Sequence, residues 1–190
     1  MRVCIDAGHD GEVDKGAIGQ NGTCESEITL LVAEELKNKL EERGHEVVMT
    51  RDCDDVNMDS LTLRANIANE ACADLIISLH CNGAENVEAK GREIFTSPGE
   101  SGADPFATMI CEELNNMFPT QLSREDWSDG DLDKEARFTV LMATVMPAVL
   151  VEMLFITNEA EEAMANDQNW QAKEAEAIAR AVDNYAKYYG

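Results

Sequence analysis

Three apolar runs in this chain lead to a side chain that can bind a metal or move a proton. Residues 2–6 (RVCID) run toward His9, residues 74–80 (DLIISLH) end on His80, and residues 147–152 (PAVLVE) end on Glu152. In open α/β sheets, ligands gather outside the carboxyl ends of the strands, so parallel strands would bring these three residues to one rim. The chain has only three histidines, and two of them stand at such ends. One such histidine would read as a core or turn residue; two, with a glutamate at a third strand end, point to a divalent metal. Imidazole nitrogen and carboxylate oxygen are donors that zinc accepts, and a catalytic zinc keeps three protein ligands and one open position. Glu25, which opens the first helical stretch, is the best candidate for the third ligand. The same carboxylate would equally suit the positive end of a helix dipole, and spacing alone leaves both readings open. Glu152 closes a strongly apolar run. It is either paired, for instance with Arg137, or a general base and acid in metal-assisted hydrolysis.

Other candidates carry less. Gly16, Gly19 and Gly22 are spaced G-x-x-G-x-x-G rather than as the G-x-G-x-x-G of dinucleotide sites, and read as a flexible loop between the first strand and helix. His45 follows a helix-ending glycine, at the opposite end of the sheet from the proposed site, and reads as a surface residue. Cys24 and Cys81 flank proposed ligands, but neighbours on an extended segment point opposite ways, which favours the glutamate and the histidine. Asn82, beside His80, reads equally as an orienting residue or a turn residue.

The elements that must position this chemistry alternate between strand and helix. Strands are expected at 2–6, 45–50, 74–80, 92–96, 138–142 and 147–152. Helices are expected at 25–43, closed by Gly44, and at 60–73 with Leu63, Ile67 and Ala71 on the buried face. Further helices are expected at 103–118, after Asn158 as N-cap, and at 171–188. Residues 122–133, acidic and containing Trp127, read as a surface loop. Such alternation predicts a single α/β domain over 1–190, with a mostly parallel twisted sheet and helices on both faces.

Composition sets the outer bounds. The chain has 190 residues, 38 of them Asp or Glu against 15 Lys or Arg, for a net charge of −23. That balance argues against nucleic acid and against anionic lipid surfaces, both of which recruit cations. No apolar run approaches the ~20 residues of a membrane span, so no membrane insertion is expected. No secretory leader pattern opens the chain, and the six cysteines form no CxxC pair; both suit synthesis in a reducing cytoplasm. A monomer is expected, since no exposed apolar stripe is evident.

Several separated segments then resemble one family. IDAGHDG (5–11), DKGAIGQNG (14–22) followed by ESEITL (25–30), TRD (50–52), LTLRANIAN (61–69), ADLIISLHCNGA (73–84), KGREIF (90–95) and MPAVLVEMLFITN (146–158) occur in the order found in zinc-dependent N-acetylmuramoyl-L-alanine amidases of the amidase-3 type. The resemblance implies a six-stranded sheet flanked by helices. It also implies Zn²⁺ held by His9, Glu25 and His80, and Glu152 as catalytic acid and base. The implied substrate is bacterial peptidoglycan, cut between the lactyl group of N-acetylmuramic acid and L-alanine. A phage endolysin without a separate wall-binding domain, acting on the wall after release, is the expected setting. The chain departs from the family at Ala7 (usually Pro), Asp10 (often Gly), Cys81 (often Ala) and Leu154 (commonly Gly), and none of these is a proposed ligand or base. The competing readings are a peptidoglycan-binding module without catalysis and a zinc peptidase acting on the peptide stem.

Overall fold

The computed structural model describes residues 1–53, 60–128 and 130–190. Six strands form one sheet in the order β2-β1-β3-β6-β4-β5. They are β1 (Arg2–Ala7), β2 (Glu46–Met49), β3 (Leu75–Asn82), β4 (Glu93–Thr96), β5 (Lys134–Glu135) and β6 (Ala148–Phe155). β1 pairs in parallel with β2 and β3, and β3 with β6. β4 runs antiparallel to β6 and carries the two-residue β5 on its far side. The mostly parallel α/β sheet predicted from the sequence is therefore the observed fold, with β4–β5 as the reversed edge.

Helices cover both faces, as a parallel sheet requires. α1 (Glu25–Glu42), α3 (Asp104–Met117) and α6 (Gln168–Tyr189) pack together over one face. Their apolar stripes, including Val32, Leu36, Ile110, Leu114, Ile178 and Val182, merge with Val3, Ile77 and Val151 of the sheet into the main core. Burying one such side chain contributes roughly 1.5–3 kcal/mol. The opposite face is thinner. α2 (Leu61–Glu70) and α4 (Thr139–Ala143) lie there over Cys4, Ile76 and Leu150. The short α5 (Glu159–Ala165) follows β6, with the Asn158 side chain capping its amino end.

Two local expectations are corrected. Residues 138–142 are not a strand: 139–143 form α4, with the amides of Leu141 and Met142 both donating to the Phe138 carbonyl. Val140 and Leu141 are both buried, which successive residues of a strand would not achieve against one face. The buried face of α2 is Arg64, Ala65 and Ala68, while Leu63 is exposed. Small residues let this helix lie close to the sheet, and Arg64 is turned inward by a carboxylate described below.

Candidate metal centre and active site

The carboxyl ends of β1, β3 and β6 meet at one rim. β1 stops at Ala7, and Gly8 and His9 turn away from it; His9 has φ +63°, a left-handed conformation uncommon outside glycine. His80 lies within β3, directly opposite Glu152 of β6 in the ladder register. Two residues of β3 then oppose three of β6, so the pairing shifts just beyond this pair. Such irregularities re-aim side chains next to functional sites. Glu25 is the first residue of α1, whose N-cap Cys24 offers no side-chain cap.

These placements converge. The Nε2 of His9 lies 3.0 Å and the Nδ1 of His80 2.9 Å from Oε1 of Glu25, and one donor atom from each of the three residues lies within 4.8 Å of the other two. The rings of His9 and His80 meet edge to face at 5.0 Å. Glu25 is nearly buried, and its oxygens also accept from the amides of Cys81 (2.9 Å) and Ala17 (2.8 Å), which fixes the carboxylate. Two glycines make room. A Cβ at Gly8 would lie 2.5 Å from the His80 ring, and one at Gly16 (φ +68°) would collide with Glu25 and His9. The glycine loop thus gives close backbone approach to the cluster rather than mere flexibility.

Surrounding groups set its charge. Burial works to lower the His9 pKa, but Glu25 and Asp14 outweigh it and raise it to about 9. Burial likewise opposes ionisation of Glu25, and the two histidines overcome it, holding the carboxyl well below the usual range. Glu152 is different: burial pushes it up to about 7, Glu25 and Glu93 add to the rise, and His80 opposes it. Its Oε2 is buried and finds no hydrogen-bond partner. The salt bridge to Arg137 considered from the sequence is not formed. Both residues line the same cleft of about 510 Å³, with Leu61 and Phe138 at its lips.

Sequence reasoning missed the groups that hold this cluster in place. Asp14 Oδ2 lies 2.8 Å from His9 Nδ1, the carboxylate that typically orients a metal-binding histidine. Asp6, buried at the end of β1, accepts from Arg64 (2.7 Å), Ser78 (2.6 Å) and Thr50 (2.7 Å). Arg51 donates to the carbonyls of Ala7, Gly8 and Ser26, tying β1 to the start of α1. Glu93 stands opposite Glu152 and is neutralised by Arg124 and Lys134, each at 2.7 Å. Asn82 donates to Glu93 at 2.7 Å, so it orients this neighbour of the site rather than a turn. The only advance signal for Asp14 was its place in the DKG segment. His45 lies away from the site, as expected, but it is more than a surface residue: its Nε2 reaches Asp183 of α6 at 2.9 Å. Cys24 and Cys81 contribute no donor to the cluster.

The donor set suits zinc: two imidazole nitrogens and one carboxylate oxygen converge, and an unpartnered carboxylate oxygen stands on the same cleft. The sequence profile of a family described as N-acetylmuramoyl-L-alanine amidase (Amidase_3) matches residues 3–184. The chain is 34% identical to protein YqiI of Bacillus subtilis over 96% of its own length and 84% of that protein's. It is 33% identical to the endolysin of Bacillus phage SPP1, covering 95% of this chain and 64% of the endolysin. The crystal structure of an N-acetylmuramoyl-L-alanine amidase from Clostridium difficile 630 superposes with a TM-score of 0.89. That similarity covers 100% of this chain and 98% of the other at 29% identity.

Proposed function

From the premise that this chain belongs to the amidase-3 family of N-acetylmuramoyl-L-alanine amidases, enzymes acting on peptidoglycan, we propose that it is a zinc amidohydrolase with its active site at the β1–β3–β6 rim. Water would cleave the amide between the lactyl group of N-acetylmuramic acid and L-alanine, leaving a lactyl carboxylate and a free alanine amine. The observation that carries this reading is the convergence of His9, Glu25 and His80 beside Glu152 on one cleft.

His9, Glu25 and His80 would hold the metal, and residues 1–190 would form one catalytic domain. Bound zinc supplies a Lewis acid that polarises a carbonyl and brings the pKa of water to about 7. Asp14 holds His9 through Nδ1, leaving Nε2 directed into the cluster. Glu152 takes the proton of the attacking water and passes a proton to the departing alanine nitrogen. Its raised pKa, about 7, suits a group that must both accept and return a proton near neutrality.

The setting we propose is endolysin-like: made in the bacterial cytoplasm and acting as a monomer on the cell wall. The likeness to the phage endolysin, and the lack of any CxxC pair among the six cysteines, support it. No helix of the described residues is long and apolar enough to cross a membrane.

Mass spectrometry of purified peptidoglycan after digestion tests the reaction. We expect free L-alanine amino termini with intact glycan strands, lost with a chelator and restored by zinc. Cleavage within the peptide stem would instead establish a peptidase. No products from a folded, zinc-loaded protein on several wall types would favour a binding module.

A further inference from the structure

Arg137 stands apart from the other cations of this chain. The protein has eight arginines among a large excess of acids, and seven of them donate to a carboxylate, a carbonyl or a side-chain amide oxygen. Arg137 makes no hydrogen bond or ion pair among the described residues. It is exposed and lines the cleft that holds the metal cluster, and it is the one lysine or arginine in that lining.

Its backbone is fixed on both sides. The Ala136 amide donates to the Thr96 carbonyl at 3.0 Å, tying the segment to β4. The Phe138 carbonyl accepts from the amides of Leu141 and Met142 in α4, and the Phe138 ring packs edge-on against Phe95 at 5.2 Å. A tethered segment therefore presents a free guanidinium to the cleft. The acids of the lining, Asp6, Asp14, Glu25 and Glu152, belong to the strand rim, whereas Arg137 borders the apolar residues Phe138 and Val140. Outside the metal cluster, Arg137 is the cleft's one cationic side chain.

The substrate class proposed above, on which this inference rests, has its charges on one side only. The glycan carries hydroxyl and acetamido groups, and the lactyl carboxyl is consumed in the scissile amide. The remaining anions are carboxylates of the peptide stem. We propose that Arg137 is a specificity-determining residue that receives a free carboxylate of the stem and so sets the peptide toward α4 and the glycan away from it. A planar guanidinium suits this role, because it can grip a carboxylate through two parallel N–H donors.

The test uses three soluble muramoyl-tripeptides: one with every stem carboxylate free, one with the carboxylate of the residue after alanine converted to a carboxamide, and one amidated at the C-terminus. The two amidated substrates separate the two carboxylates that could supply the anion. The wild type should show kcat/KM about tenfold lower on one of them, as expected for one exposed charge-assisted contact. Arg137→Ala should lose about tenfold on the free-carboxylate substrate, through KM rather than kcat, and bring the preference near unity. Arg137→Lys should recover part of it. Arg180→Ala removes the same charge from α6, where Arg180 pairs with Glu176, and should match the wild type. An Arg137→Ala enzyme that keeps the wild-type preference, or loses kcat equally on all three substrates, would overturn the assignment. Wild-type cleavage of all three without preference would also overturn it and leave the amidase reading standing. No cleavage of any of the three would overturn both.

Discussion

Among the described glutamates with raised pKa values, Glu152 and Glu174 have buried oxygens without a partner, yet only one belongs to a site. Glu152 on β6 is pushed up to about 7 and Glu174 on α6 to about 8, in both cases chiefly by burial. Both present carboxylate oxygens without a hydrogen-bond partner. Glu152 opens onto a cleft where three further donors converge, and its ladder partner Glu93 is already neutralised by Arg124 and Lys134. Glu174 is fully buried in the layer between α6 and the sheet, with Arg92 as its nearest opposing charge. A raised pKa alone therefore does not mark a catalytic group. Access to a cleft and convergent partners make the difference.

The sharpest way to break that comparison is to remove the ionisable group on the cleft side. Glu152→Gln should retain bound zinc and lose about 10²–10⁴-fold in turnover, the range expected for loss of general acid–base catalysis. Metal content and peptidoglycan hydrolysis, measured on the same preparation, check it. Substantial residual activity would sink the assigned role. The metal cluster is probed one step further out by Asp14→Ala, which removes the partner of His9 Nδ1 but no donor. Such outer partners typically account for about 10–100-fold in metal affinity. Competition with a chelating indicator should show a zinc Kd weakened by that factor, and an unchanged Kd would mean that Gly16 and the surrounding loop fix His9 without it.

The cleft side was far more legible in the sequence than the buried layer. His9, His80 and Glu152 could be placed together because strand ends of a parallel sheet share one rim. Glu25 could not be settled that way, since a helix-opening carboxylate has an ordinary dipole role; only the resemblance chose it. Arg64 was not singled out, and nothing in its spacing announced the buried Asp6 that turns it inward. α4 was misread because a five-residue apolar run satisfies either period. The reversed direction of β4 was equally hidden, since a strand's direction is set by its pairing and not by its own residues. Glu174 lies two residues from Glu176 on the last helix, and sequence alone did not separate the buried carboxylate from the surface one.

The buried side of the comparison yields the smallest effect on function and a clear one on stability. The folded-state pKa of Glu174, about 8, lies above the ordinary carboxyl value of 4.5. Between those values the folded protein holds a proton that the unfolded chain has released, so stability falls as pH rises across that window. Its contribution is fully present below pH 4.5 and lost as pH passes 8. Arg92 opposes the shift without cancelling it, because its Nε finds no partner and its terminal nitrogens are taken by Gln121 and Asn115. Glu174→Gln removes the titration. Its stability relative to the wild type should rise steadily from pH 4.5 to 8, reaching about 4 kcal/mol at the upper end, while peptidoglycan hydrolysis stays at the wild-type level. Denaturant unfolding at pH 4.5, 6 and 8 measures the difference directly. A constant offset across those three values would mean that Glu174 is ionised throughout, held by Arg92 as a buried ion pair. Loss of hydrolysis with the fold intact would mean that the layer beneath the rim is coupled to the chemistry after all.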